Sequence, residues 1–377
     1  MNRASQLSVL ADRDPSNPIL LCDLLDELLA AGLVDEALAR LGIVPHGVRM
    51  LPGVRFREAR CAMLRGDSVG VIDVLQPLLE EVPDAPVGIR HDLAYAQFAL
   101  GMSEQALQTL SAAQGQGDDA VAIALLKARI LYRQQQYQAA FDVLAPISSG
   151  LRLAEVQGVR ALLLLDIGDT VRAAIEAEQA LRLDPEQHEA GIVRGTVALW
   201  EQNVEASKVA FEQVLSEHPD SGRALLGLGQ NLMLRSDIPA ARALLERAAK
   251  EMPDHIGTWH ALAWCQLLEG DLAGAKRSFD RAFAIDRTFG ETHGGFALVH
   301  ALRGERKEAE ESIKRATRLD PNGRSARYAQ SVLLLDEGRV DEARKVVDGI
   351  LARSKGQPAS VSADFIFKLR DIVRPRG

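Results

Sequence analysis

Small residues and prolines recur along the chain at a fixed interval of 34 residues. Within residues 184–321 four of the five prolines lie one or two intervals apart, at Pro185, Pro219, Pro253 and Pro321. A small residue keeps the same interval there, at Ser207, Ala241, Ala275 and Ala309. Such a period is typical of an array of helix–turn–helix repeats, in which each repeat buries its apolar face against its neighbours. We therefore predict an all-α repeat array.

The interval extends over most of the chain. The small apolar or hydroxyl residue that opens each second helix recurs at Ala37, Val71, Ala106, Ala140, Ala173, Ser207, Ala241, Ala275, Ala309 and Ala343. This predicts ten repeats over residues 18–357, which begin near Pro18, Pro52, Val87, Val121, Ala154, His188, Gly222, Ile256, Gly290 and Arg324. One residue is gained near 83–86 and lost near 148–153, at loop positions that tolerate insertion. The register is least defined between those two points.

Each repeat is predicted to form a helix, a tight turn and a second helix. Glycines that suit a left-handed turn residue stand at Gly32, Gly66, Gly101, Gly168, Gly270, Gly304 and Gly338. Several are followed by Asp, which caps the next helix. A second row of small residues runs through the first helices, at Ala59, Ala94, Ala128, Ala161, Gly195, Gly229, Ala263, Ala297 and Ser331, and only Leu25 breaks it. These rows let paired helices approach closely, and a larger side chain there costs about 1–3 kcal/mol.

The repeat at 256–288 carries the most complete set of recurring residues. They are Trp259, Leu262, Ala263, Gly270, Ala275, Phe279 and Ala282. In this order and spacing they resemble the tetratricopeptide repeat family. The resemblance implies a right-handed α-solenoid of about ten repeats, with the first helices lining a concave groove that holds ligands.

The two ends are predicted to cap the array. Residues 1–17 read as an N-terminal half-repeat with a lone helix over 5–14, and residues 358–377 as a capping helix over 360–373 followed by a basic tail. Capping helices are expected because a terminal repeat must present a polar outer face. Self-association through exposed array ends stays an open alternative.

Composition excludes several classes of partner. The net charge of −8 argues against broad binding to nucleic acid or anionic membranes, both of which select clustered Lys and Arg. No apolar run reaches the roughly 18 residues of a membrane span, so no direct membrane insertion is expected. Three scattered cysteines suit a reducing compartment. These features predict a cytoplasmic protein, or a periplasmic one if an export signal has been trimmed.

Sequence motifs for catalysis are not found. The chain has no phosphate-binding Gly-Lys loop, no His-Glu-x-x-His and no Gly-x-Ser-x-Gly. We therefore predict no catalytic residues and no cofactor. Four of the eight histidines lie close together in sequence, at His255, His260, His293 and His300, with Cys265 among them. A metal site would require further ligands on one face, so packed or surface histidines are the preferred interpretation.

The resemblance implies which side chains face the groove, namely the second, fifth, ninth, twelfth and thirteenth positions of a repeat. One patch of such residues is Phe56, Arg60, Met63, His91, Tyr95, Phe98, Arg129 and Tyr132. A second patch is Arg223, Gln230, His255, His260, Trp264, Glu291 and Tyr328. The residues predicted to bind a partner are Arg60, His91, Tyr95, Phe98, Arg129, Tyr132, Arg223, Gln230, His260, Trp264 and Tyr328.

These residue types are suited to protein recognition because aromatic and arginine side chains dominate binding hot spots. Arg60 and Arg129 are predicted to clamp a carboxylate, and His260 and Trp264 to be exposed in the groove. Trp259 is expected in the core. The chaperone-binding branch of the family grips a carboxylate with Lys and Asn at the fifth and ninth positions of three adjacent repeats. That set does not occur in this chain, so chaperone tails are not expected ligands.

Three functions remain open at this point. The first is a non-enzymatic scaffold or adaptor that binds a peptide or helix of a partner protein in the groove. The second is the substrate-presenting repeat portion of a glycosyltransferase or sulfotransferase. The third is an accessory protein of bacterial secretion, pilus or envelope-polysaccharide assembly.

Overall fold

The computed structural model describes residues 3–113 and 115–353. The capping helix expected at 360–373 and the basic tail lie outside these residues. Within them every regular element is a helix and no strand occurs, which confirms the all-α prediction. The chain divides into two compact parts, Met1–Gly168 and Asp169–Gly377, named here the N-terminal body and the C-terminal body. The division falls at the turn of the fifth predicted repeat.

Helices of the N-terminal body vary in length. They are α1 (Arg3–Arg13), α2 (Pro18–Ala30), α3 (Val34–Ile43), α4 (His46–Arg49), α5 (Pro52–Leu64), α6 (Ser68–Glu81), α7 (Val87–Ala99), α8 (Ser103–Ser111), α9 (Asp118–Arg133), α10 (Tyr137–Leu144) and α11 (Leu153–Ile167). The second helices α3, α8 and α10 have 10, 9 and 8 residues, whereas α6 has 14. The one-turn helix α4 has no counterpart in the prediction.

The C-terminal body is regular. Its helices are α12 (Thr170–Leu183), α13 (His188–Trp200), α14 (Val204–Glu217), α15 (Gly222–Leu234), α16 (Ile238–Glu251), α17 (Ile256–Leu268), α18 (Leu272–Ile285), α19 (Gly290–Arg303), α20 (Arg306–Leu319), α21 (Arg324–Asp336) and α22 (Val340–Arg353). Each second helix from α12 to α22 has 14 residues. Each first helix of this body packs against the second helix that follows it.

First helices begin at the predicted residue in eight of the ten repeats. The exceptions are α9, which begins at Asp118, and α11, which begins at Leu153. Both lie in or at the edge of the segment where the period gains and then loses a residue. Periodicity therefore located the start of the first helix in every repeat except the fourth and the fifth.

Both rows of small residues are buried, as their spacing predicts. In the second helices Ala37, Ala241 and Ala275 are fully buried, and Leu25, which breaks the first-helix row, is fully buried too. Glycine is required where a bulky ring fills the seam. A Cβ on Gly227 would lie 2.1 Å from Cζ of Phe211.

The turns between paired helices follow the predicted left-handed geometry. All seven predicted turn glycines have positive φ, and the Asp67, Asp169 and Asp271 carboxylates accept hydrogen bonds from backbone N–H groups three residues on. Gln135 and Gln202 adopt the same conformation, with φ of 61° and 62°. A side chain in that conformation costs about 1–2 kcal/mol.

Candidate protein-binding faces

Large apolar side chains are exposed on successive first helices of the N-terminal body. Ile19 on α2 is 72% exposed, Leu64 on α5 is 58% exposed and Tyr95 on α7 is 51% exposed. They occupy the second, thirteenth and ninth positions of their repeats. We define the N-terminal face as the second, fifth, ninth, twelfth and thirteenth positions of α2, α5, α7 and the following first helix α9, counted from the predicted repeat starts.

Arg60 and His91 belong to this face. Arg60 is exposed and has no carboxylate partner among the described residues. It occupies the ninth position of its repeat, equivalent to Tyr95 in the next repeat. His91 is half-buried, and its Nδ1 lies 3.4 Å from Asp92 Oδ1. Two of the predicted binding residues, Arg60 and Tyr95, are thus exposed.

Phe98 and Arg133 connect α7 to α9 on the same face. Phe98 is half-buried, and the guanidinium carbon of Arg133 lies 5.3 Å from its ring centroid. Arg133 Nη1 donates a hydrogen bond to the Phe98 carbonyl at 3.3 Å. This cation–π contact holds an exposed positive charge above an aromatic surface.

Arg129 and Tyr132 are engaged with groups of the protein itself. Arg129 Nη2 donates to Glu155 Oε1 at 2.7 Å, and the Tyr132 hydroxyl donates to Asp166 Oδ2 at 2.8 Å. The Tyr132 ring also packs at 5.5 Å from that of Tyr137. Since Arg129 already holds a carboxylate of the chain, the predicted clamp between Arg60 and Arg129 is not open to a ligand.

His260 differs from its predicted exposure in the groove. It is half-buried, its Nε2 lies 2.9 Å from Thr292 Oγ1, and its ring meets Phe279 and Phe289 edge-on at 5.3 and 5.5 Å. Burial lowers the pKa of His260 to about 4, a shift that the charge of Glu291 only partly offsets. The imidazole is therefore neutral near pH 7 and acts as a packing residue.

Tyr328 and Trp264 pack against each other. Tyr328 is 5% exposed and its ring meets that of half-buried Trp264 edge-on at 5.6 Å. Burial raises the pKa of the Tyr328 phenol. Tyr328 was predicted to contact a partner, but its side chain lies in the core of the C-terminal body, in a cluster that includes Leu298 and Val332.

Close contact between α19 and α21 explains this burial. The Glu291 carboxylate accepts hydrogen bonds from the backbone N–H groups of Arg324 and Ser325, and so caps α21. A Cβ on Gly294 would lie 2.7 Å from the backbone nitrogen of Ala326. The first helices approach so closely that positions expected to face a ligand are covered.

Three further residues complete the placement of the C-terminal set. Arg223 is half-buried and Gln230 is exposed, both on α15. Trp259 was expected in the core but is half-buried, and its Nε1 donates to the Pro253 carbonyl at 2.7 Å. Of the predicted C-terminal binding residues, Gln230 alone is exposed.

Each of the four clustered histidines has a local partner. His255 Nδ1 lies 2.8 Å from Thr258 Oγ1, His293 Nε2 lies 2.9 Å from the Arg287 carbonyl oxygen, and His300 Nδ1 lies 2.6 Å from Glu305 Oε2. His260 contacts Thr292 as described above. Over residues 3–113 and 115–353 no group of three or more His, Cys, Asp or Glu side chains is placed to hold a metal ion.

Sequence reasoning missed three accessible residues of the N-terminal face. Ile19, Leu64 and Arg133 stand at the second or thirteenth positions of their repeats. The same positional rule identifies them when it is applied to every repeat and to aliphatic residues as well as to aromatic ones. Among the described residues no helix has both the length and the apolar composition needed to cross a bilayer.

The paired helices and their period define an α-helical repeat protein, and comparison with known families specifies the class. One profile described as tetratricopeptide repeat matches residues 198–265, and a second with the same description matches residues 91–147 and 296–358. The chain therefore belongs to the tetratricopeptide repeat family. A search of curated proteins finds no match.

Solved structures of the same architecture are similar at low identity. YrrB, described as a tetratricopeptide repeat protein with an unusual peptide-binding site, is 21% identical, with a TM-score of 0.38 over 52% of this chain and 97% of that chain. A tetratricopeptide repeat protein from Parabacteroides merdae is 17% identical, with a TM-score of 0.39 over 74% and 98% of the two chains. A chain of the APC/C hetero-tetramer Cut9–Hcn1 is 14% identical, with a TM-score of 0.48 over 93% and 81%.

Proposed function

We propose that this protein is a non-enzymatic scaffold that binds an extended peptide or a helix of a partner protein on its N-terminal face. The observation that carries the proposal is the exposure of Ile19, Leu64 and Tyr95 on successive first helices. Covering apolar surface is favourable by about 25 cal/mol for each Å² removed from water. A partner segment that lies across these helices would bury all three side chains.

The surrounding residues provide polar contacts suited to a peptide. Arg60 offers a planar set of hydrogen-bond donors, and the half-buried His91 imidazole belongs to the same face. Phe98 presents an aromatic surface with the Arg133 guanidinium above it. Aromatic and arginine side chains are the types enriched at the energetic centres of protein interfaces. Most of the corresponding residues of the C-terminal body are engaged in packing, so the proposal is confined to the N-terminal face.

The test begins with peptides selected from a random 12-residue phage library against the full-length protein. Substituting Leu64→Ala and Tyr95→Ala together is expected to weaken the selected peptides by 100-fold or more, since a hot-spot residue contributes about 2 kcal/mol or more. Isothermal titration calorimetry measures the change. Both side chains are exposed, so circular dichroism and the melting temperature are expected to be unchanged.

The matched control is the double substitution Ile175→Ala and Val209→Ala. These side chains are 53% and 61% exposed on the second helices α12 and α14. The control is expected to bind like the unsubstituted protein. The proposal is wrong if no peptide is selected, if the Leu64/Tyr95 variant binds normally, or if the control loses as much affinity.

A further inference from the structure

Two carboxylates at ligand-facing positions in the N-terminal body are paired with arginines, and a third, Asp166, accepts a hydrogen bond from the Tyr132 hydroxyl. Asp26 on α2 is held by Arg57, with Oδ1 at 3.0 Å from Nε and Oδ2 at 2.5 Å from Nη2. Glu155 on α11 accepts from Arg129 and Arg152 at 2.7 Å each. The negative charges of Asp26 and Glu155 are therefore neutralised locally.

Two arginines of the face have no such partner. Neither Arg60 nor Arg133 has a carboxylate within ion-pair distance among the described residues, and both are exposed. The hydrogen-bonding partner of Arg133 is the neutral carbonyl of Phe98. Two unmatched cations beside paired carboxylates give the face a local positive charge in a chain whose net charge is −8. A surface of this sign attracts a segment of opposite charge.

The two cations lie on first helices separated by one intervening first helix. α7 packs against α9, whereas α5 approaches α7 less closely. Since packed helices are about 8–10 Å apart, α5 and α9 are separated by at least roughly 16–20 Å. An extended chain advances about 3.3–3.6 Å per residue, which makes that span about five or six residues. Leu64 on α5, and Tyr95 and Phe98 on α7, belong to the same N-terminal face as the two arginines.

We propose that the partner segment is an acidic amphipathic peptide with two Asp or Glu side chains about five or six residues apart and aromatic or aliphatic side chains between them. This inference rests on the proposed function and specifies its ligand. One carboxylate pairs with the Arg60 guanidinium and the other with that of Arg133, through charge-assisted hydrogen bonds that are bidentate where geometry allows. The apolar side chains of the peptide cover Leu64 and Tyr95. Arg133 thereby takes the role that sequence reasoning assigned to Arg129.

The experiment uses the full-length protein and the same 12-residue library. Selected sequences are expected to be enriched in Asp and Glu at this spacing around Leu, Phe or Tyr. The most enriched sequence is then made as a fluorescein-labelled peptide, together with an analogue in which every Asp and Glu is replaced by Asn and Gln. Fluorescence anisotropy measures both affinities at 50 and 300 mM NaCl.

Substituting Arg60→Gln and Arg133→Gln together is expected to weaken binding of the acidic peptide about 30-fold or more, because the charge-assisted hydrogen bonds to both peptide carboxylates are lost. The amide analogue should bind the unsubstituted protein with a similar loss of affinity. The affinity of the double variant for the acidic peptide should depend much less on salt concentration. The matched control is Arg277→Gln, an exposed arginine on the second helix α18. It should leave the affinity unchanged.

The outcomes separate this inference from the proposed function. Selected peptides that lack acidic residues, or acidic peptides that bind the Arg60/Arg133 variant normally, overturn the inference; if they remain sensitive to Leu64 and Tyr95, the binding face stands. Peptides insensitive to all four residues, or the absence of any selected peptide, overturn both. Comparable binding of a labelled twelve-residue oligouridine that competes with the peptide would identify a nucleic-acid site and also overturn the inference.

Discussion

The N-terminal and C-terminal bodies are built from the same repeat but differ in what their first helices expose. The ninth residue of one N-terminal repeat is Tyr95, which is 51% exposed, whereas the ninth residue of a C-terminal repeat is Leu298, which is fully buried. In the C-terminal body Gly294 permits α21 to approach α19. Repeat position alone therefore does not set exposure, which also depends on how closely the neighbouring first helix packs.

The two bodies also differ in regularity. The second helices of the C-terminal body all have 14 residues, and rings such as Phe211 fill their seams. Three second helices of the N-terminal body are shorter, with 8–10 residues. We infer that the regular body contributes mainly packing stability and the irregular body mainly accessible surface. Three measurements can break or sharpen this contrast.

Phe211→Ala is expected to have the largest effect. The Phe211 side chain is fully buried and packs against Gly227. A Cβ on Gly227 would lie only 2.1 Å from the Phe211 Cζ atom. Removing a buried phenylalanine costs about 3–5 kcal/mol. Since repeats contact mainly their neighbours, the loss should be local.

Hydrogen exchange measured by mass spectrometry tests this expectation. Protection should fall in α13 to α16, while α5 to α10 keep theirs. Tyr95→Ala serves as the comparison in the N-terminal body and should change protection little, because half of that side chain is exposed. Equal losses of protection in both bodies after Phe211→Ala would contradict the contrast.

The pH dependence of His260 is expected to have the next largest effect. Its folded-state pKa of about 4 lies below the ordinary value of 6.5. Between these values the unfolded chain binds a proton that the folded chain does not, so the free energy of unfolding falls as pH decreases from about 6.5 to about 4. The full difference corresponds to roughly 3 kcal/mol. Above pH 7 this contribution to stability is fully present.

Urea unfolding at several pH values, followed by tryptophan fluorescence, measures this dependence. All three tryptophans, Trp200, Trp259 and Trp264, lie in the C-terminal body, so the signal reports that body. His260→Gln should flatten the decline in stability between pH 6.5 and 4. His46→Gln, at an exposed position on α4, is the control and should leave it unchanged. An unaltered slope in His260→Gln would show that burial of this imidazole does not govern acid sensitivity.

The smallest effect is expected at the turns, which the two bodies share. Gln135→Gly in the N-terminal body and Gln202→Gly in the C-terminal body should each raise the free energy of unfolding by about 0.5–1 kcal/mol, because glycine adopts positive φ without steric cost. Gln134→Gly, at a φ of −81°, should lower it by a similar amount. Differential scanning calorimetry measures all three, and a decrease for Gln135→Gly or Gln202→Gly would contradict the shared turn rule.

The helix starts, the buried small rows and the turn glycines could be predicted because each follows from residue type at a fixed interval. Ala241, for example, is buried because it lies where a second helix packs on its partner. Gly270 has a positive φ because it lies in the turn that ends a first helix. The ligand-facing residues were harder to predict. Arg129 and Tyr328 stand at the expected repeat positions. However, the Arg129 guanidinium is hydrogen-bonded to Glu155, and the Tyr328 side chain lies in the core.

The sequence by itself determined the repeat, its turns and its seams, because these depend on local backbone geometry and on side-chain volume at recurring positions. The tertiary structure alone decided which first-helix side chains remain available. That outcome depends on which carboxylate reaches a given arginine and how closely neighbouring first helices approach, and both are set by contacts between residues about one repeat apart. Arg60 and Arg133 have no carboxylate partner among the described residues, whereas Arg129 is paired with Glu155 of the next repeat.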